Sequence, residues 1–286
     1  MRISKYLRKC AKYILFQPKA KVMINLCNVD YHSLLNGKNI VITGGSRGIG
    51  KAIATKCLSE GANVIITGRN EDSLKKVCKE MGANCKYLVQ DYLQTDDFSE
   101  FISSCKDIVN GEISAIVLNA GISLHEGNFL NVTFDNFSQQ VDVNLKSNFF
   151  LAQEFIKYLL NNKAEGSLLF ISSETAGKCN DLPYGLTKVA INSLVGGIAR
   201  RVYQKGIRVN AIAPGVTFTD MTKGNHHIDD DYSNNSVAGR YFLPEEIAEV
   251  AVFVLSDVSK CITGEVLYCD AGSHLKINGT ETEYSL

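Results

Sequence analysis

The chain has 286 residues, 45% of them hydrophobic and 21% charged, and its thirty basic and thirty acidic side chains cancel. That is ordinary globular composition, enough for one large domain or two small ones, and the neutral balance lacks the electrostatic footprint of a nucleic-acid binder. Nine cysteines, scattered from Cys10 to Cys269 without a C-x-x-C pair, make neither a disulfide framework nor a zinc site; they read as reduced thiols of a cytoplasmic protein.

Residues 1–34 form a basic N-terminal extension: seven Lys/Arg fall within the first 21 positions, and the first acid is Asp30. Ile3, Leu7, Cys10 and Ile14 follow helical spacing and put a narrow apolar stripe beside the basic face. Two readings fit, a helix that meets a membrane surface or partner, and an extension packed on its own domain or on an oligomer partner. The longest apolar run there, "YILF", is too short for a secretory or spanning segment, so no transmembrane segment is expected.

From residue 39 short apolar runs alternate with amphipathic ones. The runs "NIVIT" (39–43), "NVIIT" (63–67), "CKYLV" (85–89), "SAIVL" (114–118), "SLLFI" (167–171), "RVNAI" (208–212) and "EVLYC" (265–269) read as strands, most of them with the near-continuous apolar character of burial on both faces. Helical segments such as 49–60, 71–81, 134–161 and 184–204 lie between them, the pattern of repeated βα units. These features predict a single doubly wound α/β domain over 35–286, with a parallel sheet of about seven strands and helices on both faces. One polar, irregular connection, about 217–243, has the length of a lid. Within it His226, His227, Asp229, Asp230 and Asp231 carry metal-ligand chemistry but no rigid spacing, and no metal site is expected.

After the first strand comes "TGGSRGIG", Thr43 to Gly50. Glycines there let the backbone turn sharply and approach a phosphate, while the helix that follows offers free N–H groups and its positive dipole end. The strand-loop-helix context marks a phosphate site. Further on, "LPYGLTKVA" places Tyr184 and Lys188 one helical turn apart on one face. An ammonium at ~4 Å is worth up to about 4 kcal/mol at an effective dielectric of ~20, roughly three pKa units, enough to turn a phenol into a usable acid.

Together with "LNAG" (118–121), "VNL" (143–145), "ISS" (171–173), "APG" (213–215), "TG" and "DAG" (263–272), these motifs resemble the short-chain dehydrogenase/reductase family over about residues 37–273. "VNAIAPG", "TDMT" and "PEEIA" are most similar to its 3-oxoacyl-carrier-protein reductase branch. The resemblance implies a Rossmann-type sheet. It also implies an oxidoreductase that interconverts a ketone and a secondary alcohol, with Asn144, Ser173, Tyr184 and Lys188 as its catalytic set. Ser173 lies eleven residues before Tyr184, where the family commonly has thirteen, so Ser172 stands as the other candidate for the oxygen-binding serine.

Cofactor contacts follow by the same resemblance: Gly44, Ser46, Arg47, Gly48, Ile49 and Gly50 at the glycine loop, Asp91 at the adenine, Asn119 on the ribose side, Val216 and Thr219 at the carboxamide, and Tyr184 and Lys188 at the nicotinamide ribose. Gly68 stands where NAD-preferring members carry Asp, and Arg69 follows it, with Arg47 nearby. Two guanidiniums without an acid suit a 2′-phosphate, so NADP(H) is the expected cofactor.

The expected partners are a small-molecule carbonyl or alcohol substrate and a second copy of the chain, through helices 134–161 and 184–204. Arg200, Arg201 and Lys205 read either as a face for an acidic carrier protein or as a solvated surface. His125, Glu126, Glu174, Asn180 and Asp181 around the pocket suit a sugar-like ketone as well as a 3-oxoacyl thioester. A catalytically silent NADP(H) sensor or scaffold is the non-enzyme alternative.

Overall fold

The computed structural model of the chain describes residues 33–93, 98–222 and 237–275. The basic stretch, the His/Asp cluster at 226–231 and the middle of the 217–243 segment lie outside the described residues. Seven strands form one parallel sheet in the order β3-β2-β1-β4-β5-β6-β7. They are β1 (Asn39–Thr43), β2 (Asn63–Gly68), β3 (Cys85–Val89), β4 (Ala115–Leu118), β5 (Gly166–Ile171), β6 (Ile207–Pro214) and β7 (Val266–Cys269). All seven expected strands are present, in a Rossmann-type arrangement.

Alternation along each strand divides the core in two. Ile40, Ile42, Val64 and Ile66 point to one face and pack with Ile53, Ala251 and Val252 of α1 (Gly48–Ser59) and α7 (Pro244–Leu255). Val41, Ile65 and Ile116 point to the other, against Phe101 of α3 (Ser99–Val109), Phe155 of α5 (Ser147–Asn161) and Val195 of α6 (Pro183–Val202). α2 (Glu71–Met81) adds Leu74 and Val77 to the first face. Covering both faces is what makes the inner strands read as near-unbroken apolar runs, whereas the edge strands β3 and β7 are only partly buried.

The strand order reverses between β1 and β4, whose register pairs Ile42 with Val117. Carboxyl ends of neighbouring strands diverge at such a switch point and leave a crevice. Thr43 and Leu118 end on its two sides, so the glycine loop and "NAG" face each other.

The expected single helix over 134–161 is interrupted. α4 (Phe134–Val141) passes through a wider π turn, Asp142–Lys146, before α5 begins. Side chains satisfy carbonyls there: Ser147 Oγ donates to Val143 O at 2.7 Å and Asn148 Nδ2 to Asn144 O at 2.9 Å. Two helices outside the expected set, α3 and α7, complete the layers. The end of α7 is held by Arg208 of β6, whose buried guanidinium donates to Val254 O at 2.8 Å and Ser256 O at 3.1 Å. A cation there complements the negative end of the helix dipole.

Candidate active site

A cleft of about 680 Å³ opens at the carboxyl edge of the sheet. Its lining runs from Gly44, Ser46, Arg47, Gly48, Ile49 and Arg69 at one end to Ser173, Tyr184 and Lys188 at the other. Asp91, Asn119, Val216 and Thr219 lie between. Twelve of the expected cofactor residues therefore share one cavity. Gly50 and Asn144 stand just behind its wall.

The glycine loop is tight for steric reasons. Gly44 and Gly48 have φ of 65° and 53°, in the left-handed region that other residues avoid. At Gly50 a Cβ would stand 2.4 Å from Gly44 O and 2.5 Å from Asn119 Nδ2, so the loop closes only without one. Arg47 is the N-cap of α1 and offers no side-chain acceptor, which leaves first-turn amides for an anion beside the cleft. The Arg47 guanidinium lies 3.6 Å from Asp220 Oδ2, both exposed. Gly68 is open: a Cβ there would meet nothing nearer than Leu74 at 3.7 Å. A Cβ is accommodated there, so no steric demand on that atom requires glycine at 68. Small glycines, a free helix start and two arginines fit a phosphorylated dinucleotide.

Asn119 is committed mainly to bracing that loop. Its Nδ2 donates to Thr43 O at 2.9 Å and Gly44 O at 3.1 Å, while Thr43 Oγ1 accepts from the backbone of Asn119 and Ala120. Asp91 uses Oδ1 to accept from Leu93 N at 3.0 Å, a turn contact that sets the start of the connection after β3. Thr219 closes over Gly48, with Cγ2 only 3.2 Å from where a Cβ of Gly48 would lie. Thr222, absent from the expected set, anchors that segment by accepting from Thr219 N at 3.0 Å. Val216 O accepts from Phe242 N at 2.9 Å, and Phe218 N donates to Phe242 O at 2.8 Å. The two described ends of the 217–243 segment are thus joined at its base.

At the far end α6 starts with Pro183 in its first turn, a position that needs no backbone N–H. Tyr184 is half-buried. Burial pushes its phenol up from the ordinary value, and a hydrogen bond with Ser173 pulls it partly back. Lys188, 4% exposed, donates from Nζ to Ile171 O at 2.8 Å, and burial lowers it to about 8. It is still mainly protonated at neutral pH. Its nitrogen lies 5.5 Å from the centre of the Tyr184 ring. The expectation of a lysine that drives the tyrosine below its ordinary value is not what this geometry gives: the ammonium is turned to a carbonyl, and desolvation dominates the phenol.

Adjacent serines part ways, as strand alternation requires. Ser172 Oγ donates to Asn192 Oδ1 at 2.6 Å and holds β5 to α6. Ser173 faces Tyr184 and, as the cap of the turn Glu174–Gly177, accepts from Thr175 N at 3.3 Å. Asn144 lies in the π turn with its amide spent on Ile122, accepting from Ile122 N and donating to Ile122 O, each at 2.8 Å. Gly121, quoted in "LNAG" but not placed in the site, is where these parts meet. A Cβ there would lie 3.3 Å from Asn144 Oδ1 and 3.7 Å from Lys188 Nζ.

A family model described as enoyl-(acyl carrier protein) reductase matches residues 20–274. The chain belongs to the short-chain dehydrogenase/reductase family of oxidoreductases. Among members of that family, L-rhamnose 1-dehydrogenase (NADP(+)) of Thermoplasma acidophilum is 35% identical over 252 residues, 82% of this chain and 96% of that one. The 3-oxoacyl-(acyl-carrier-protein) reductase of Aquifex aeolicus is 31% identical over 245 residues, 83% of this chain and 98% of that one. A 3-ketoacyl-(acyl-carrier-protein) reductase from Brucella melitensis, solved in complex with NADH, superposes with a TM-score of 0.78 at 26% identity, covering 84% of this chain and 100% of that one. Among the described residues no helix is long and apolar enough to cross a membrane.

Proposed function

We propose that this short-chain dehydrogenase/reductase uses NADP(H) to interconvert a ketone and a secondary alcohol, with Tyr184 as the general acid and base. The observation that carries the reading is the single cleft that joins the glycine loop, Arg47 and Arg69 to Ser173, Tyr184 and Lys188. When bound, the reduced nicotinamide supplies hydride to the carbonyl carbon. The chain does the rest. Ser173 donates to the substrate oxygen and fixes it beside the phenol, and Tyr184 gives its proton to that oxygen as charge develops there. Lys188, charged at neutral pH, lowers the energy of the phenolate left behind; its reorientation from Ile171 O toward a ribose hydroxyl would bring that charge closer. Asn144 holds Ile122, which lines the cleft.

A sugar-like or other polar hydroxy ketone is a substrate class that suits the cleft, because Ser123, His125, Gln139, Glu174 and Thr175 are among its lining residues. The Thermoplasma relative supports that reading. A second reading, a 3-oxoacyl thioester, rests on the acyl-carrier-protein reductases among the relatives, with Arg200, Arg201 and Lys205 as the face for an acidic carrier. Exposed Phe149, Phe150, Leu186 and Val189 on α5 and α6 support pairing with a second copy. The test is a spectrophotometric panel: NADP+ reduction with aldoses and polyols, and NADPH oxidation with 3-oxoacyl thioesters. Turnover with either class supports the oxidoreductase reading and selects the substrate, whereas cofactor binding without any turnover would favour the silent sensor.

A further inference from the structure

Beyond the cleft, the turn after β7 makes contacts that neither the cofactor loop nor the catalytic set explains. Asp270, 1% exposed, accepts from Gly272 N through Oδ1 at 2.9 Å and from His274 N through Oδ2 at 3.0 Å. The same Oδ2 lies 2.7 Å from His274 Nδ1. These bonds hold Ala271 at φ 54°, a left-handed conformation that a residue with a Cβ rarely keeps without support. The held imidazole is stacked on Tyr268, with centroids 3.7 Å apart and planes 15° from parallel.

This stacked pair touches two elements that carry residues of the cleft. On one side lies Gly177, the end of the turn that Ser173 caps. A Cβ at Gly177 would stand 2.9 Å from His274 Cβ and 3.2 Å from Cε1 and Oη of Tyr268, so the turn lies flush against the pair. On the other side Tyr268 Oη accepts from Asn192 Nδ2 at 3.3 Å, and Asn192 Oδ1 accepts from Ser172 Oγ at 2.6 Å. Tyr268 therefore borders both the turn that carries Ser173 and the helix that carries Tyr184 and Lys188.

We propose that His274, clamped by Asp270 and stacked on Tyr268, is a positioning residue that holds the Ser173–Gly177 turn in register with α6. The functional meaning rests on the reading of Ser173 as the oxygen-holding group, but the positioning is measurable without substrate. Two turn amides report on it, Ala176 N donating to Ser173 O and Lys178 N donating to Thr175 O, each at 3.0 Å.

The experiment is hydrogen exchange by mass spectrometry on the full chain, wild type against His274→Ala, His274→Phe and Gly177→Ala, with thermal melts of each. His274→Ala is expected to speed exchange in the peptide over 173–182 about tenfold or more, with the β6 peptide unchanged. His274→Phe keeps the stacked ring, and Asp270 still accepts from two backbone amides, so its exchange should stay within about twofold of wild type. Gly177→Ala, which forces a methyl against His274, should speed the same peptide with β6 again unchanged. Unchanged exchange in His274→Ala, acceleration spread evenly over the strands, or a His274→Phe that behaves like His274→Ala would each overturn the proposal. Because no substrate is used, the result stands apart from the catalytic reading: an inert Tyr184 would sink that reading and leave these exchange rates untouched.

Discussion

Lys188 Nζ stands 5.5 Å from the centre of the Tyr184 ring, buried and hydrogen-bonded to Ile171 O at 2.8 Å. The lysine is thus a desolvated cation one helical turn from the Tyr184 phenol. Such a group costs stability in a way that pH reveals.

Burial takes Lys188 from its ordinary 10.5 to about 8. Below pH 8 both folded and unfolded chains carry the charge, and the folded one bears the whole desolvation penalty. Between 8 and 10.5 the folded chain loses its proton first, so the unfolded chain holds more protons and stability rises with pH. Lys188→Met removes a penalty of up to about 3 kcal/mol at pH 7, less the lost hydrogen bond, and progressively less toward pH 10. Urea unfolding at pH 7 and pH 10 checks it: the variant should gain more, relative to wild type, at pH 7. An equal or larger relative gain at pH 10 contradicts the desolvation argument.

Cofactor choice should turn on position 68, where a Cβ meets only ordinary contacts. Gly68→Asp puts a carboxylate beside the ribose site, where it repels a 2′-phosphate and accepts from a 2′-hydroxyl. NADPH should bind more weakly and NADH more tightly. Arg69→Ala should weaken NADPH by ~1.5 to 3 kcal/mol and leave NADH nearly unchanged. Fluorescence titration of both cofactors measures this, and wild-type protein that binds NADH as tightly as NADPH would remove the NADP(H) assignment.

Ser172 and Ser173 give a paired comparison. Ser173→Ala removes the hydroxyl that faces Tyr184 and should lower turnover about ten- to a thousandfold, in the manner of an oxyanion donor. Ser172→Ala loses the bond to Asn192 and should lower the melting temperature by a few degrees, as expected for about 1 kcal/mol, while most turnover survives. Steady-state rates with a melt for each variant decide it, and the reverse ranking would exchange the two roles.

Strands were legible because burial on both faces leaves the middles of β1, β2, β4 and β5 almost wholly apolar, with polar residues such as Asn39, Thr43, Asn63, Thr67 and Ser167 confined to their ends. The glycine loop was legible because its positive φ values demand glycine at 44 and 48. What the sequence hides is where a polar side chain spends its hydrogen bonds. Asn119, Asn144 and Lys188 stand where the motifs put them, yet each is tied to a backbone group, of Thr43 and Gly44, of Ile122, and of Ile171. Backbone acceptors belong to every residue alike, so no letter marks them. The π turn at Asp142–Lys146 is hidden for the same reason, since apolar spacing continues through it while Ser147 and Asn148 take up the carbonyls. Tyr268 and His274 come together only through the return of β7, far in sequence from Gly177.

Tyr184→Phe tests the central claim most directly, with NADPH affinity and turnover measured on the same preparation. If the phenol acts on the substrate oxygen as proposed, turnover falls by at least about a thousandfold while the NADPH dissociation constant stays within about threefold of wild type. Turnover retained at the wild-type rate would contradict it and return "YGLTK" to an ordinary helix beside a nucleotide site.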